Sequence, residues 1–378
     1  MHHLLKRPAH IARMILVLTI PALALLVVLL ELAARTVLPT SDVPDVVFDP
    51  QLGSQFRPNQ RGTYIRGLSA DIRAKYRINN KGWNAPHDYT HLPRANEVRI
   101  AVIGDSYVEA IQVDYDQSFP YVLEKNLRKR RPDCMINVYS FGYSGTNLAH
   151  YTKVAQHVMD AYRPDLIIVN VVHNDFLESL ETFARIDNWS LRPVGDGFTF
   201  IAPRKSDDLA RKRWLRRSAI IRYLVINMKM LDRLYMLKQQ LNKSKRFEAN
   251  IDPTTIEAYL DNGVLERASG YLLGMLHQVT GRVKVLFVID GNRKAIYDGD
   301  DARKTFSYRM NQLFREQTTQ YGFPLIDLTD WFEDDWKRAG EPFNWTIDYH
   351  WNQRGHGVAA AAIGEFIAEN QRGYFCAE

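Results

Sequence analysis

From Val98 onward, strongly apolar strand-like runs alternate with amphipathic helical patterns, and this alternation narrows the possible folds more than any other feature. Strand-like runs lie at Arg99 to Ile103, Ile136 to Tyr139, Leu166 to Val172, Val283 to Ile289 and Leu325 to Leu328. Helical patterns lie near Pro120 to Arg130, Leu148 to Ala161, Val264 to Gln278, Thr305 to Gln320 and Gly355 to Asn370. Strand, helix, strand in this rhythm is the signature of βαβ units and a parallel sheet. The fold class expected is α/β, with five strands and covering helices in one doubly wound, mostly parallel domain.

Two stretches break the rhythm. Residues 39–97 read as a mixed lead-in that packs on the main domain, with a hairpin-like word from Tyr76 to Asn84 whose Asn and Gly residues supply positive φ. Residues 186–259 read as an insertion into the main domain, 98–378, opening with a hairpin around Gly195-Asp196-Gly197. Between Arg204 and Arg246 it carries fourteen Lys/Arg against three Asp, within a chain whose net charge is only +6. Ile220, Ile221, Leu224, Val225 and Met228 give this basic stretch an apolar helical face. It is a solvated helix packed on the core, or it rests on an anionic membrane surface or an acidic polymer. A nucleic-acid partner is not expected, because the stretch shows no interleaved aromatic pattern of the kind single-strand binders use.

The first 38 residues are of another kind. Met14 to Leu30 carries no charge and, with its flanks, is long enough to cross a bilayer. Residues 11–38 are therefore expected to meet lipid, as a single-pass anchor behind a short cytoplasmic stub. Lys6, Arg7 and Arg13 precede the run and Asp42, Asp45 and Asp49 follow it, which places the remainder outside the cytoplasm: at the inner membrane and in the periplasm of a Gram-negative cell. The rival reading is a cleaved signal peptide, for which Leu32-Ala33-Ala34 offers small residues; the absence of Ala-x-Ala and the length of the run favour the anchor. Two cysteines, Cys134 and Cys376, are too few for a disulfide scaffold or a zinc site, and whether they pair is open. No metal and no cofactor is expected.

The chemistry-bearing words sit at the ends of these runs. Ala101-Val102-Ile103 ends in Gly104-Asp105-Ser106, a buried strand turning into a loop where an α/β sheet presents groups to substrate, so Ser106 is a candidate nucleophile. A serine hydroxyl needs a base, the base an orienting group, and the developing oxyanion needs donors. Phe141-Gly142-Tyr143-Ser144-Gly145-Thr146-Asn147, His173-Asn174-Asp175 and Asp348-Tyr349-His350-Trp351 supply residues for those roles.

In that order the four blocks resemble the SGNH/GDSL hydrolase superfamily, over about Val98 to Ala368, and the anchored arrangement resembles a bacterial branch of it. The resemblance implies a flavodoxin-like three-layer sandwich and a serine ester hydrolase or O-acyltransferase. Carried onto this chain, Ser106 looks like the nucleophile, His350 like the base and Asp348 like its orienting carboxylate. The oxyanion donors would be the Ser106 amide, the Gly145 amide, with Gly142 as a substitute, and the Asn174 side chain. Asp105 reads as a structural residue of the turn.

Two departures matter. Superfamily members usually place Asp three residues before His, where this chain has Ile347; Asp348 stands two before His350. The Asp-x-His-Trp word is instead similar to polysaccharide O-acetyltransferases of the alginate acetylation type. Residues two apart in an extended stretch project to one side, so Asp348 is able to reach His350 Nδ1. His173 stands where many members have glycine, and is a candidate substrate contact. So are Asn292 and Arg293, after the fourth apolar run, and Trp351; Trp345 and Trp351 flank the acid and base, with core packing the expected use of at least one.

The activity expected is that of an extracytoplasmic serine esterase acting on O-acylated, chiefly O-acetylated, carbohydrate or another small ester. A polysaccharide O-acetyltransferase with the same triad is the alternative, and a non-catalytic glycan-binding or scaffold protein of the envelope is the second.

Overall fold

The computed structural model describes residues 14–206, 216–230 and 262–370. The chain divides into two compact units. The smaller comprises Met1–Val43, Ile65–Asp71 and Ala210–Lys243, and the larger Pro44–Tyr64, Ile72–Leu209 and Ser244–Glu378.

The larger unit is built on five strands: β1 (Glu97–Gly104), β2 (Met135–Gly142), β3 (Leu166–Val171), β4 (Lys284–Ile289) and β5 (Leu325–Asp327). They pair in the order β2-β1-β3-β4-β5, every neighbour parallel. This is a doubly wound order that changes direction between β1 and β3, and the crevice beyond the strand ends at such a point is where ligands collect. The expected α/β class, strand number and parallel sense are all present.

Period-two side-chain direction sorts each strand between two cores. Ala101, Ile103, Ile167, Val169, Val285 and Phe287 face the helices Leu148–Tyr162 and Val264–Thr280. Ile100, Val102, Ile136, Ile168, Leu286 and Val288 face Phe119–Arg130, Leu328–Ala339 and Gln353–Glu369. Both faces are covered, so the strands are apolar at nearly every position. Side-chain caps set where the helices start: Asn147 accepts from His150 N at 2.9 Å, and Asn352 accepts from Gly355 N at 3.0 Å. The second cap starts the last helix at Gln353, one residue beyond the Asp348–Trp351 strand.

Around this sandwich, the segment before β1 packs on the sheet through Tyr89, whose hydroxyl donates to Ser140 O, and through Asn84, which donates to Glu109 O. Asn79 to Trp83 form a turn closed by the Ile78 to Asn84 bridge, and the hairpin at Gly195 joins the strands Ser190–Val194 and Gly197–Ile201. Cys134 is buried; Cys376, and with it the pairing question, lies outside the described residues. So do positions 207–215 and 231–246 of the basic stretch, and positions 11–13 of the apolar one.

In the smaller unit Ile20–Thr36 is an α-helix, part of an apolar helical stretch, Leu16–Thr36, long enough to span a membrane and not buried against protein.

The glycines that end β1 and β2, Gly104 and Gly142, are register partners. A Cβ on Gly142 would lie 2.2 Å from Glu109 N and 2.5 Å from Val108 C, backbone atoms of the short helix Ser106–Glu109. The turn carrying Ser106 therefore rests directly on the end of β2. Gly142→Ala is expected to lower stability by about 1–3 kcal/mol through overpacking. Gly357→Ala, with open space at its Cβ, is expected to be neutral or slightly stabilising. Equal melting temperatures for the two variants would contradict this account of Gly142.

Candidate active site

Ser106 is the first residue of the helix Ser106–Glu109, capped by Asp105, whose carboxylate accepts from Tyr107 N at 2.9 Å. The parallel sheet puts this turn at the carboxyl edge. His350 lies 244 positions later on the strand Asp348–Trp351, and its Nε2 stands 2.8 Å from Ser106 Oγ. Its Nδ1 is 2.5 Å from Asp348 Oδ1, which also accepts from the His350 backbone N–H at 3.1 Å. With Nδ1–H donating to the carboxylate, Nε2 is the acceptor for the serine hydroxyl. The two-residue spacing works because the segment is extended and the carboxylate folds back over its own chain. Ser106 Oγ also lies 3.3 Å from Asp105 Oδ2. Burial pushes the Asp105 carboxyl upward from its ordinary range.

Besides the Ser106 amide, the donors expected for an oxyanion lie on two further turns. Asn174 opens the helix Asn174–Glu178 directly after β3 and faces the cavity beside the triad. The turn is locked by buried Asp175, which accepts from Val172 N at 2.8 Å and Tyr151 Oη at 3.0 Å. Glu178, one turn along, holds the Asn174 side chain by a hydrogen bond. Gly145 has φ +75, a left-handed conformation that only glycine adopts at little cost. Its loop is held from three sides. Glu109 accepts from Ser144 N at 2.5 Å, Arg185 donates to Ser144 O at 3.0 Å, and Asn188 donates to Gly145 O. Gly142 serves close packing under the serine turn, as described above.

A cavity of about 540 Å³ opens alongside, lined by Tyr107, His173, Asn174, Asn292, Trp345 and Tyr349 among others. His173 faces it with Nε2 3.0 Å from Asn311 Oδ1, and burial lowers its pKa from the ordinary histidine value. Asn292 also lines it, while its side chain caps the helix Arg293–Asp298 by accepting from Ala295 N.

One expected substrate contact turns out otherwise. Trp351 is fully buried, its indole N–H donating to Asp290 at 3.2 Å, so it presents no surface to a ligand. Trp345 is the indole at the cavity. Arg293, although largely buried, does line the cavity; its guanidinium donates to Tyr107 Oη at 2.9 Å, Tyr349 O at 2.8 Å and Asp290 at 3.4 Å. It braces the residue after Ser106 against the residue before His350.

Tyr107, Asp290, Glu109, Glu178, Arg185 and Asn188 are the supporting residues that reading the sequence did not single out for a role. Glu178 was within reach of such reading, since Asn174 and Glu178 are four apart in a helix. Arg185 and Asn188 carry no local signal.

A family model, that of the GDSL-like lipase/acylhydrolase family, matches residues 102–358, more than half of the chain. The chain belongs to that family. No curated protein matches the sequence. Solved structures with similar folds include a variant acetyl xylan esterase from Geobacillus stearothermophilus, 13% identical, covering 74% of this chain and 97% of its own, TM-score 0.40. An alpha/beta hydrolase enzyme from the metagenome of Lake Arreo, Spain, is 15% identical over 72% of this chain and 95% of its own, TM-score 0.39. A two-domain esterase active on acetylated mannans is 13% identical over 73% of this chain, which spans 50% of that protein, TM-score 0.39. These distant likenesses concern fold and say nothing of this chain's substrate.

Burial pushes the carboxyls of Glu109 and Glu178 up to about 7. A carboxyl whose folded pKa lies above its unfolded value binds more proton when folded, so stability falls as pH rises from about 4.5 through about 7. For fully buried Glu109 the loss is on the order of 3 kcal/mol. Glu109→Gln, which keeps an acceptor for Ser144 N, is expected to flatten the decline in melting temperature between pH 5 and pH 8. An unchanged pH profile would show that Glu109 titrates as an ordinary carboxylate.

Proposed function

We propose that this chain is a membrane-anchored serine esterase that cleaves O-acyl, chiefly O-acetyl, esters of carbohydrate outside the cytoplasm through an acyl-enzyme on Ser106. The observation that carries the reading is the continuous hydrogen-bonded line from Ser106 Oγ through His350 to Asp348, assembled from residues far apart in the chain.

In the proposed reaction His350 Nε2 takes the Ser106 proton as Oγ attacks the ester carbonyl. The carbonyl π pair moves to oxygen, and the amides of Ser106 and Gly145 with the Asn174 side chain donate to the oxyanion. Collapse breaks the bond to the alcohol oxygen, which leaves with the proton from His350. The acyl group remains on Ser106. A water molecule, deprotonated by His350, then releases the acid and restores the serine.

A carbohydrate substrate fits the cavity, which is far larger than an acetyl group. Trp345 and Tyr349 offer aromatic faces for a sugar ring, and Asn292 and Asn344 offer amides for its hydroxyls. Anchoring is supported by the apolar stretch Leu16–Thr36 and by the charges that flank it in sequence. The O-acetyltransferase reading differs only in the acceptor, a sugar hydroxyl replacing water, and rests on the Asp348-x-His350-Trp351 word.

Three measurements test these assignments. A serine-reactive fluorophosphonate is expected to label the wild type and neither Ser106→Ala nor His350→Ala; labelling that survives in folded Ser106→Ala would remove Ser106 as the nucleophile. Arg293→Gln is expected to lower kcat by roughly 10- to 100-fold with KM little changed, because it displaces the base and not the substrate. A rise in KM alone would show that Arg293 acts on the substrate from the cavity wall and does not position the base. On an acetylated oligosaccharide, release of acetate is expected to exceed transfer to added sugar; transfer in several-fold excess would establish the transferase.

A further inference from the structure

The charge-free run Met14 to Leu30 spans 17 residues, about 25 Å as a helix. The hydrocarbon core of a bilayer is about 30 Å thick. A helix that crosses it must therefore carry the next turn, with Glu31, into the membrane edge, where an ionised carboxylate without partners is strongly disfavoured.

Glu31 has partners, and all but Arg35 come from nearly two hundred residues away. Its carboxylate accepts from Ser218 Oγ at 2.8 Å, Ala219 N at 2.8 Å and Ile220 N at 3.2 Å, and pairs with Arg35 at 2.7 Å. Arg35 also donates to Arg217 O. The following residues are tied to the chain leaving the helix. Buried Asn227 accepts from Ser41 N at 3.0 Å and donates to Pro39 O at 2.7 Å, and its carbonyl accepts from Gly67 N at 2.9 Å. Segment 218–228 is thus fixed beside the last two turns of the apolar helix, at the depth of Glu31.

Its composition suits that depth. Ile220, Ile221, Leu224, Val225, Ile226 and Met228 remain part-exposed, and Leu68, whose carbonyl accepts from Tyr223 Oη, is exposed beside them. Arg217 at the start of the segment is exposed.

We propose that Ser218–Met228 is seated in the outer headgroup and acyl boundary of the bilayer that the helix crosses, docked there by Glu31, with Arg217 and Arg35 at the level of anionic phospholipid phosphates. The occupant of this apolar face is lipid. The apolar surface of the helix continues onto it, and the carboxylate holding the two together makes their depths inseparable. The inference rests on the anchored reading above, and the experiment separates the two.

The full chain, with Cys134→Ser and Cys376→Ser, is placed in nanodiscs of phosphatidylcholine and phosphatidylglycerol. A bimane probe is attached at Leu224→Cys or, as a reference, at Leu25→Cys. Lipids bearing a nitroxide at acyl carbon 5 are expected to quench the 224 probe at least twofold, while nitroxide at carbon 12 quenches the 25 probe more strongly. Adding Glu31→Gln is expected to weaken quenching at 224 and leave it at 25. Quenching at 25 but not at 224 overturns the seating and leaves the anchor standing. No quenching at either position overturns both. Quenching at 224 that Glu31→Gln does not alter overturns the docking role of Glu31.

Discussion

The parallel pairing of β1 with β2 and β3 is the constraint on which the rest of the structure depends. Because the strands run in the same direction, their carboxyl ends emerge together, and the Ser106 turn, the Gly145 loop and Asn174 meet at one edge. The pairing Gly104↔Gly142 is the last rung of that ladder, and it leaves the space that the serine helix occupies. A side chain at either glycine would lift the helix from the sheet and carry Ser106 Oγ with it.

The base arrives from outside this ladder, on a short strand near the carboxyl end, and needs a separate restraint. The buried Arg293 and Asp290 pair supplies it, one partner holding Tyr349 O and the other the Trp351 indole on either side of His350. A guanidinium and a carboxylate so deeply buried are tolerable only because their remaining bonding capacity is met by Tyr107, Tyr349 and Trp351. The same network reaches Tyr107, so the restraint on the base is also a restraint on the residue beside the nucleophile. The His350 imidazole is held between them, its ring centroid 5.2 Å from that of Tyr107. Serine and histidine are thereby held in register across two regions of the fold that share no backbone ladder.

Much of the larger unit is legible in the sequence because its strands are buried on both faces. Ile100 and Ala101, or Leu286 and Phe287, point in opposite directions and are both apolar, so the runs stand out from their surroundings. The line from Ser106 through His350 to Asp348 was within reach for a related reason: each residue sits in a short word whose position at a strand end suggests its chemistry. Trp351 was misplaced as a substrate contact because burial belongs to the environment. An indole beside a base is the same residue whether it faces a sugar or the core. Arg185, Asn188 and Glu109 could not be assigned roles from their own neighbourhoods, because what they hold, the Ser144 and Gly145 backbone, lies thirty-five or more positions away.

The sequence by itself determined the alternation of strands and helices, the parallel class that follows from it, and the chemical types available at the strand ends. Periodicity and residue chemistry are local properties, written in consecutive positions. Tertiary structure alone decided which of these groups meet and which are withdrawn from solvent. It placed His350 at hydrogen-bond distance from Ser106, Trp345 at the cavity and Trp351 in the core, and Glu31 against Ser218. Contact and burial depend on where distant segments pack, and no short stretch of sequence records that.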